Sequence, residues 1–218
     1  KTGAVVLAGE ITSRANVDYQ EVVRTALKTI GYDKSTGFDY ETCAVINMLS
    51  KQSPDISQGV TAGQGDFNHE EQGAGDQGLM FGLAINDTPE LMPLPILLAQ
   101  KLTRKLTEVR KEGLLPYLKP DGKSQVAIAY DGNNVVGLEN VVLAAHHSEE
   151  VSTAQLRADL EEFVIKPVCG NLITPNTKFF INATGRFVVG GPVADAGLTG
   201  RKIIVDTYGG WGRHGGGA

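Results

Sequence analysis

From Lys51 to Gly75 the chain turns polar and glycine-rich, and this stretch constrains the fold more than any other. A structureless connection of that length is uncommon inside a compact chain, where it serves as a functional lid or stays disordered. We read it as a lid. It divides a short N-terminal block from a longer block that must build its own core. In the first block, Ala4 to Ile11 is β-rich and apolar. Asp18-x-x-Glu21 then resembles a capping pair that opens a helix, with Val22, Val23, Ala26, Leu27 and Ile30 at helical spacing and Gly31 closing it. A second strand is expected over Thr42 to Leu49.

Beyond the lid, Leu79 to Ile85 reads as a strand. The strongest helix signal of the chain follows, with Leu91, Leu94, Leu98, Leu102, Leu106 and Val109 on one stripe. Lys101, Arg104, Lys105, Arg110 and Lys111 fall largely off that stripe and read as a solvated face. Lys123 to Tyr130 and Val135 to Ala145 alternate across Asp131-Gly132-Asn133-Asn134, which predicts a hairpin. A helix over Thr153 to Lys166 and short strands at Phe179 to Ile181, Arg186 to Val189 and Lys202 to Tyr208 complete the pattern. Strands and helices in this mixed order, with hairpin connections, favour an α+β fold over a doubly wound parallel sheet.

The chain has 218 residues and 41% hydrophobic content, enough for a sizeable core. Its net charge is −5, so no global basic field exists and no nucleic-acid partner is expected. Any polyanion must be held by a local cluster. No apolar stretch approaches the roughly 20 residues that span a bilayer, and no signal peptide opens the chain, so the expectation is a cytoplasmic protein without membrane contact. Cys43 and Cys169 lie far apart and match no metal spacing; Cys43 reads as a buried, inert thiol. The start at Lys1 without an initiator methionine and the stop in Gly215-Gly216-Gly217-Ala218 suggest a piece of something longer.

Several polar groups sit in glycine- or proline-punctuated settings. In Gly73-Ala74-Gly75-Asp76-Gln77-Gly78, three glycines crowd an acid and an amide, giving either a tight polar turn or a carboxylate aimed at a ligand. Glu10 at the end of the first strand can face a pocket or water. Gln52 and Asp55 lie at the root of the lid, so closure would carry them onto a ligand. Asp121 and Lys123 alternate on one side of a strand start and suit ribose and phosphate, or form an incidental ion pair. Arg186 and Phe187 offer a guanidinium for phosphate and a ring for base stacking, with plain core packing as the other reading of Phe187. Arg201 and Lys202 beside Gly200 suit a phosphate clamp, with Asp195 as a ribose-hydroxyl acceptor. The run Gly209 to Gly217 has the density of a phosphate-cradling loop but lacks the Gly-Lys-Ser/Thr ending of a P-loop, which speaks against a kinase. His69, His146 and His147 show no metal-ligand spacing and read as surface or hydrogen-bonding residues.

Taken together these segments resemble the S-adenosylmethionine synthetase (methionine adenosyltransferase) family. Gly73 to Gly78 is similar to one of its two signature segments, and Gly215 to Ala218 to the start of the other. The likeness also covers Lys51-Gln52-Ser53-Pro54-Asp55-Ile56, Asp121-x-Lys123-Ser124-Gln125, His147-Ser148-Glu149-Glu150, Thr184-Gly185-Arg186-Phe187 and Gly197 to Gly210. It implies three similar mixed sheet and helix domains. Residues 1–58 would be the rest of the N-terminal domain, 59–72 a mobile gating loop, 73–189 the central domain and 190–218 the start of the C-terminal one.

The implied reaction is in-line attack of methionine sulfur on the 5′ carbon of ATP, with tripolyphosphate expelled and hydrolysed to pyrophosphate and phosphate. By motif, Glu10 and Gln52 hold methionine by its amine and carboxylate, and Asp76 sits between methionine and the nucleoside. Asp121 and Lys123 bind ATP, Arg186 and Phe187 flank the nucleotide, Asp195 meets both substrates and Arg201 and Lys202 hold the phosphates. Ala218 is a further ATP contact. Lys123, Arg201 and Lys202 would be the catalytic cations. Magnesium, about two ions per site, and potassium are the implied cofactors, with their ligands outside this chain. The implied assembly is a homodimer with shared active sites, or a dimer of such dimers. The sequence departs from the family at Ala183, where a proline is usual, and over Gly59 to Gln72, which differs and looks longer. An inert fragment or a nucleotide-binding module is the alternative expectation.

Overall fold

The computed structural model of the chain describes residues 2–66, 70–76 and 78–216. It opens with a β-α-β unit. Strand β1 (Ala4–Glu10) lies parallel to β2 (Ala44–Ser50), and helix α1 (Tyr19–Ile30) makes the crossover. The helix starts where expected because the Asp18 carboxylate accepts from the backbone N–H groups of Gln20 and Glu21, and it stops at Gly31, whose φ of 106° suits glycine. Only one face of the unit is covered. Leu27, Phe38 and Cys43 form a small core with Val5, Val23 and Val45, whereas Val22 and Ile30 of the predicted stripe stay exposed. The Arg24 guanidinium fastens the turn before β2 by donating to the carbonyls of Tyr40 (2.6 Å), Glu41 (3.0 Å) and Cys43 (3.1 Å).

The larger core belongs to the second block. Helix α3 (Leu94–Lys111) buries Leu102, Leu106 and Val109 against a three-stranded sheet in which residues 134–147 form the central strand, between 118–131 and 178–181. Strands β3 (Leu118–Asp131) and β4 (Asn134–His147) form the expected hairpin and run longer than their alternation indicates. Gly132 and Asn133 make the two-residue turn, and only Gly132 has positive φ (58°), the pattern of a II′ turn. Between β2 and α3, α2 (Pro54–Ser57) is a single turn at the root of the predicted lid, capped by Ser53. The helix expected over Thr153 to Lys166 runs as α4 (Thr153–Leu160), a wide turn over Glu161–Ile165, and α5 (Lys166–Cys169). Pro167 explains the wide turn, because it lacks an N–H and its ring collides with the carbonyl one turn earlier.

Four expectations fail locally. Leu91 lies outside α3, exposed and with φ of 57°, because Pro93 sets the start of the helix. Leu79 to Ile85 forms no strand; no strand lies alongside among the described residues, and Leu79 and Met80 are 70% and 87% exposed. Arg186 to Val189 is irregular because it meets β4 through a single backbone bond, His147 N–H to Phe187 C=O (3.0 Å), while the side chains of His146 and His147 take the Val188 carbonyl and the Phe187 N–H. Lys202 to Tyr208 curls into turns closed by local bonds such as Asp206 N–H to Lys202 C=O (2.8 Å).

Strand β5 (Lys178–Ile181) lies parallel to β4, and Asn182 extends that pairing with its side chain. Its amide accepts from the Ala145 N–H (2.8 Å) and donates to the Ala145 C=O (3.0 Å), at 3% exposure and φ of 40°. Asparagine tolerates that left-handed conformation better than most residues. Replacing Asn182 by Ala strands both backbone groups of Ala145, so Asn182→Ala is expected to lower unfolding free energy by about 2–4 kcal/mol in urea titrations. Exposed Val136→Ala on the same strand is expected to cost well under 1 kcal/mol by roughly the rule for surface positions.

Candidate functional site

The parallel strands end side by side, and their ends begin the site. Glu10 pairs in register with Ser50, and the Ile11 N–H donates to the Ser50 carbonyl (2.8 Å), so Glu10 lies beside the chain that leads into Gln52. Gln52 in turn touches the glycine-rich hexapeptide. A β-carbon on Gly75 would lie 2.8 Å from Gln52 Nε2, closer than any side chain could be accommodated without a shift. Only glycine lets the amide come so near the backbone. Asp76 is the next residue and is exposed, as is Glu10. Glu10, Gln52 and Asp76 therefore gather at one end of β1 and β2.

Two further contacts bear on this end. The N–H of Gly73 donates to the carbonyl of Val60 (2.7 Å), which ties the far end of the predicted loop to its near end. Gly215 packs on Leu79, with 3.6 Å between its virtual β-carbon and that side chain, so the second glycine-rich segment lies against the residue that follows the first. Gln77, His69 and Ala218, all named from the sequence, lie outside the described residues.

A second group forms around the start of β3. The ladder with β4 skips from the pair Leu118 and His147 to the pair Gly122 and Ala145, so Lys119, Pro120 and Asp121 together oppose His146 alone. Pro120 cannot donate to a ladder, which accounts for the bulge. The bulge aims side chains at neighbouring segments. The Asp121 carboxylate accepts from the Gly191 N–H (2.8 Å) and is turned to that backbone instead of to Lys123, which is exposed on β3. Lys119 Nζ donates to the Ser35 carbonyl (2.7 Å), and the Arg110 guanidinium, expected on a solvated face, donates to the Ile30 carbonyl at the end of α1 (2.7 Å). Burial draws the Arg110 pKa down, and Tyr32, packed beside Gly191, has its own raised by burial and by Asp121.

Phe187 and Arg186 sit next to this group. Phe187 is half-buried and stacked on His146, with ring centroids 5.3 Å apart and planes at 25°, so one ring face is already covered. Arg186 is exposed and pairs with Glu149 (2.6 Å). Asp195 closes the short helix α6 (Gly191–Ala194) and accepts from the Ala196 N–H (2.8 Å). Arg201 and Lys202 are exposed. The turns after them dock on α3, where Gln100 donates to the Val205 carbonyl (3.1 Å), and on the hairpin tip, where Trp211 meets Tyr130.

The two groups are kept apart. Helix α6 attaches at the start of β1, where the Thr2 N–H donates to the Pro192 carbonyl (2.9 Å), while Glu10 is at the other end of this seven-residue strand. At roughly 3.3 Å per residue the strand separates them by about 20 Å. Of the two readings of His146 and His147, the hydrogen-bonding one holds and the surface one fails: they are 0% and 5% exposed, and their rings bond to the backbone of Val188, Ser148 and Phe187. The alternation of β4 pointed to burial as far as Ala145, and its continuation by two residues was the available signal. Among the described residues no three His, Cys, Asp or Glu side chains gather as a metal site. Cys43 and Cys169 are buried free thiols, and burial pushes the Cys169 thiol up to about 11. No helix among the described residues is long and apolar enough to cross a membrane.

Three family models match the sequence in chain order. They are described as S-adenosylmethionine synthetase N-terminal domain (residues 1–54), central domain (71–187) and C-terminal domain (189–218). Curated proteins named S-adenosylmethionine synthase are similar throughout. Those of Syntrophobacter fumaroxidans and Desulfosudis oleivorans are 57% and 55% identical over 99% of this chain. That of Brachyspira hyodysenteriae is 52% identical over 100% of it. The chain spans 56%, 56% and 57% of the lengths of these three relatives.

One titration follows from the geometry. Burial lowers the His146 pKa, and Lys119 and His147 lower it further against the opposing pull of the Val188 carbonyl and Asp121. The folded chain therefore holds His146 neutral where the unfolded chain, with a pKa of about 6.5, takes up a proton. Stability is at its full value above that pH and is lost as pH falls from about 6.5 through the lower folded value. Urea midpoints at pH 7.5 and 5.5 are expected to fall less in His146→Phe than in the wild type, by roughly the linkage contribution of one group.

Proposed function

Because this chain belongs to the S-adenosylmethionine synthetase family, we propose that its parent protein makes S-adenosylmethionine from methionine and ATP. In this reading the sulfur attacks the ribose 5′ carbon in line, and the tripolyphosphate that leaves is hydrolysed to pyrophosphate and phosphate. The observation that carries it is the approach of Gln52 to Gly75, which brings Glu10, Gln52 and Asp76 to one end of the parallel strands.

We assign Glu10 and Gln52 to the amine and carboxylate of methionine and Asp76 to the space between methionine and nucleoside. Asp121, Lys123, Arg186 and Phe187 take the nucleotide, Asp195 both substrates, and Arg201 and Lys202 the phosphates. The electrostatics support the assignment. A neutral sulfur becomes a sulfonium beside carboxylates, while a polyanion departs among exposed cations that carry no competing ion pair in the case of Arg201 and Lys202 among the described residues. Arg186 and Glu149 form an exposed ion pair that a phosphate can replace at little cost.

Residues 59–72 are proposed as the gating loop between the remainder of an N-terminal domain (1–58) and a central domain (73–189), with 190–218 opening a third. The bond from Gly73 to Val60 supports that division, since it closes the loop at its base. A homodimer with shared sites, alone or paired, is also proposed, in the cytoplasm. Two features support it: the separation of the methionine side from Asp195, and an apolar outer face on β1 and β2, where Val6, Ile46 and Met48 are 55%, 47% and 63% exposed.

The test is direct. The full-length protein, given methionine, ATP, magnesium and potassium, is expected to yield S-adenosylmethionine by mass spectrometry; absence of product would sink the proposal. Asp76→Asn is expected to keep the far-ultraviolet circular dichroism and abolish product, and Lys202→Ala to lower kcat/KM by about 10²-fold or more.

A further inference from the structure

Two adjacent buried histidines at the end of β4 are unused by the function proposed above, and each grips the segment that follows Arg186. His147 holds the Phe187 backbone from both ends: its N–H donates to the Phe187 carbonyl (3.0 Å), and its Nε2 accepts from the Phe187 N–H (3.2 Å). That acceptor role settles the tautomer, since the proton must then sit on Nδ1, which donates to the Ser148 carbonyl (2.7 Å). His146 carries the opposite tautomer. Its Nε2 faces the Val188 carbonyl (2.9 Å), an acceptor only, so Nε2 holds the proton and Nδ1 does not.

The ring of His146 adds a steric hold. It stacks on the Phe187 ring, and a β-carbon on Gly190 would come within 2.8 Å of it and within 2.9 Å of Phe187. Gly191 is then pinned by Asp121. The segment from Phe187 to Gly191 is thus fastened at the Phe187 N–H and C=O, the Val188 C=O and the Gly191 N–H. His146 Nδ1 is buried without a hydrogen-bond partner, which suits a neutral ring chosen for shape and one donor. The charged or titratable groups facing it are Lys119, Asp121 and His147.

We propose that His146 and His147 are positioning residues, a clasp that sets Phe187 and Asp121 at fixed separation so that ring and carboxylate present one surface to a nucleotide. The inference rests on the assignment of Phe187 and Asp121 to the nucleotide side. Neither histidine touches substrate; each acts through the backbone it holds.

The test uses the full-length protein, amide hydrogen exchange, and calorimetric binding of adenylyl imidodiphosphate, a non-hydrolysable ATP analogue. In His147→Ala the Phe187 amide is expected to exchange faster and analogue affinity to fall by at least about fivefold, the scale of one lost hydrogen bond. His147→Gln, whose side-chain oxygen can reach the Nε2 position, is expected to restore both. If His147→Ala does not fold, His146→Phe answers the same question, since it keeps the stacked ring and removes the donor to Val188; a loss of about threefold or more in affinity is expected there. Wild-type affinity in a folded variant whose Phe187 amide exchanges freely would overturn the proposal, leaving the clasp a purely structural device. A wild-type chain that binds no analogue overturns the nucleotide assignment itself, and the positioning role falls with it.

Discussion

The bulge at Lys119-Pro120-Asp121 is the constraint on which the arrangement of the segments depends. A regular ladder there would pair these residues with β4 and take one hold each from the β-α-β unit and the C-terminal segment. Pro120 breaks the ladder, and the two side chains it frees reach in different directions: Lys119 to Ser35 of the first block, Asp121 to Gly191 of the last. Arg110 adds a second hold on the first block at the C-terminal end of α1, where exposed carbonyls and the helix dipole both favour a cation. None of these bonds is large alone, each worth on the order of 1 kcal/mol. Their value is geometric, because among the described residues the small core of Leu27, Phe38 and Cys43 reaches beyond its own unit only through Val193.

With Asp121 in its proposed role, the same bulge would tie stability to recognition. Asp121 is assigned to the nucleotide, yet its carboxylate already accepts from Gly191, and Tyr32 crowds Gly191 so closely that a β-carbon there would lie 2.7 Å from its ring. A ligand at Asp121 would therefore feel the placement of Tyr32 in the first block and of Gly191 in the last. A substitution anywhere in this contact set shifts the carboxylate, so binding and block geometry cannot be varied independently there.

Much of the fold was legible because it rests on local chemistry. Asp18 and Gly31 bracket α1, and the alternation on either side of Gly132 predicts the hairpin. What failed was read from apolar content alone. Leu79 to Ile85 and Lys202 to Tyr208 have strand composition, but a strand needs a neighbour to satisfy its backbone, and among the described residues neither has one. At the site, Glu10, Gln52 and Asp76 were individually visible as polar groups near glycine or strand ends, and the structure adds their proximity. The roles of Arg110 and the two histidines were hidden for a different reason. Their partners are backbone carbonyls and amides distant in sequence, and no side-chain pattern marks a backbone group as the one that will be held.

The glycine hexapeptide gains a mechanical meaning from its neighbours. Gly73 is bonded to Val60, and Gly75 is pressed against the Gln52 amide, so the stretch between Val60 and Gly73 hangs from a closed base. Swinging such a loop would also loosen α2, because the Thr61 N–H, just beyond the base, donates to the Ser57 carbonyl (2.9 Å) and Gly65 packs on the Gln58 carbonyl. Releasing the base as well would break one backbone bond, a cost on the order of 1 kcal/mol, and would loosen the packing of Gln52 on Gly75. Motion of the proposed gate and placement of the methionine-side amide are therefore mechanically linked at one point. A side chain larger than glycine at position 75 would push Gln52 away even with the loop at rest, which makes this glycine part of the geometry of the site and not only a turn.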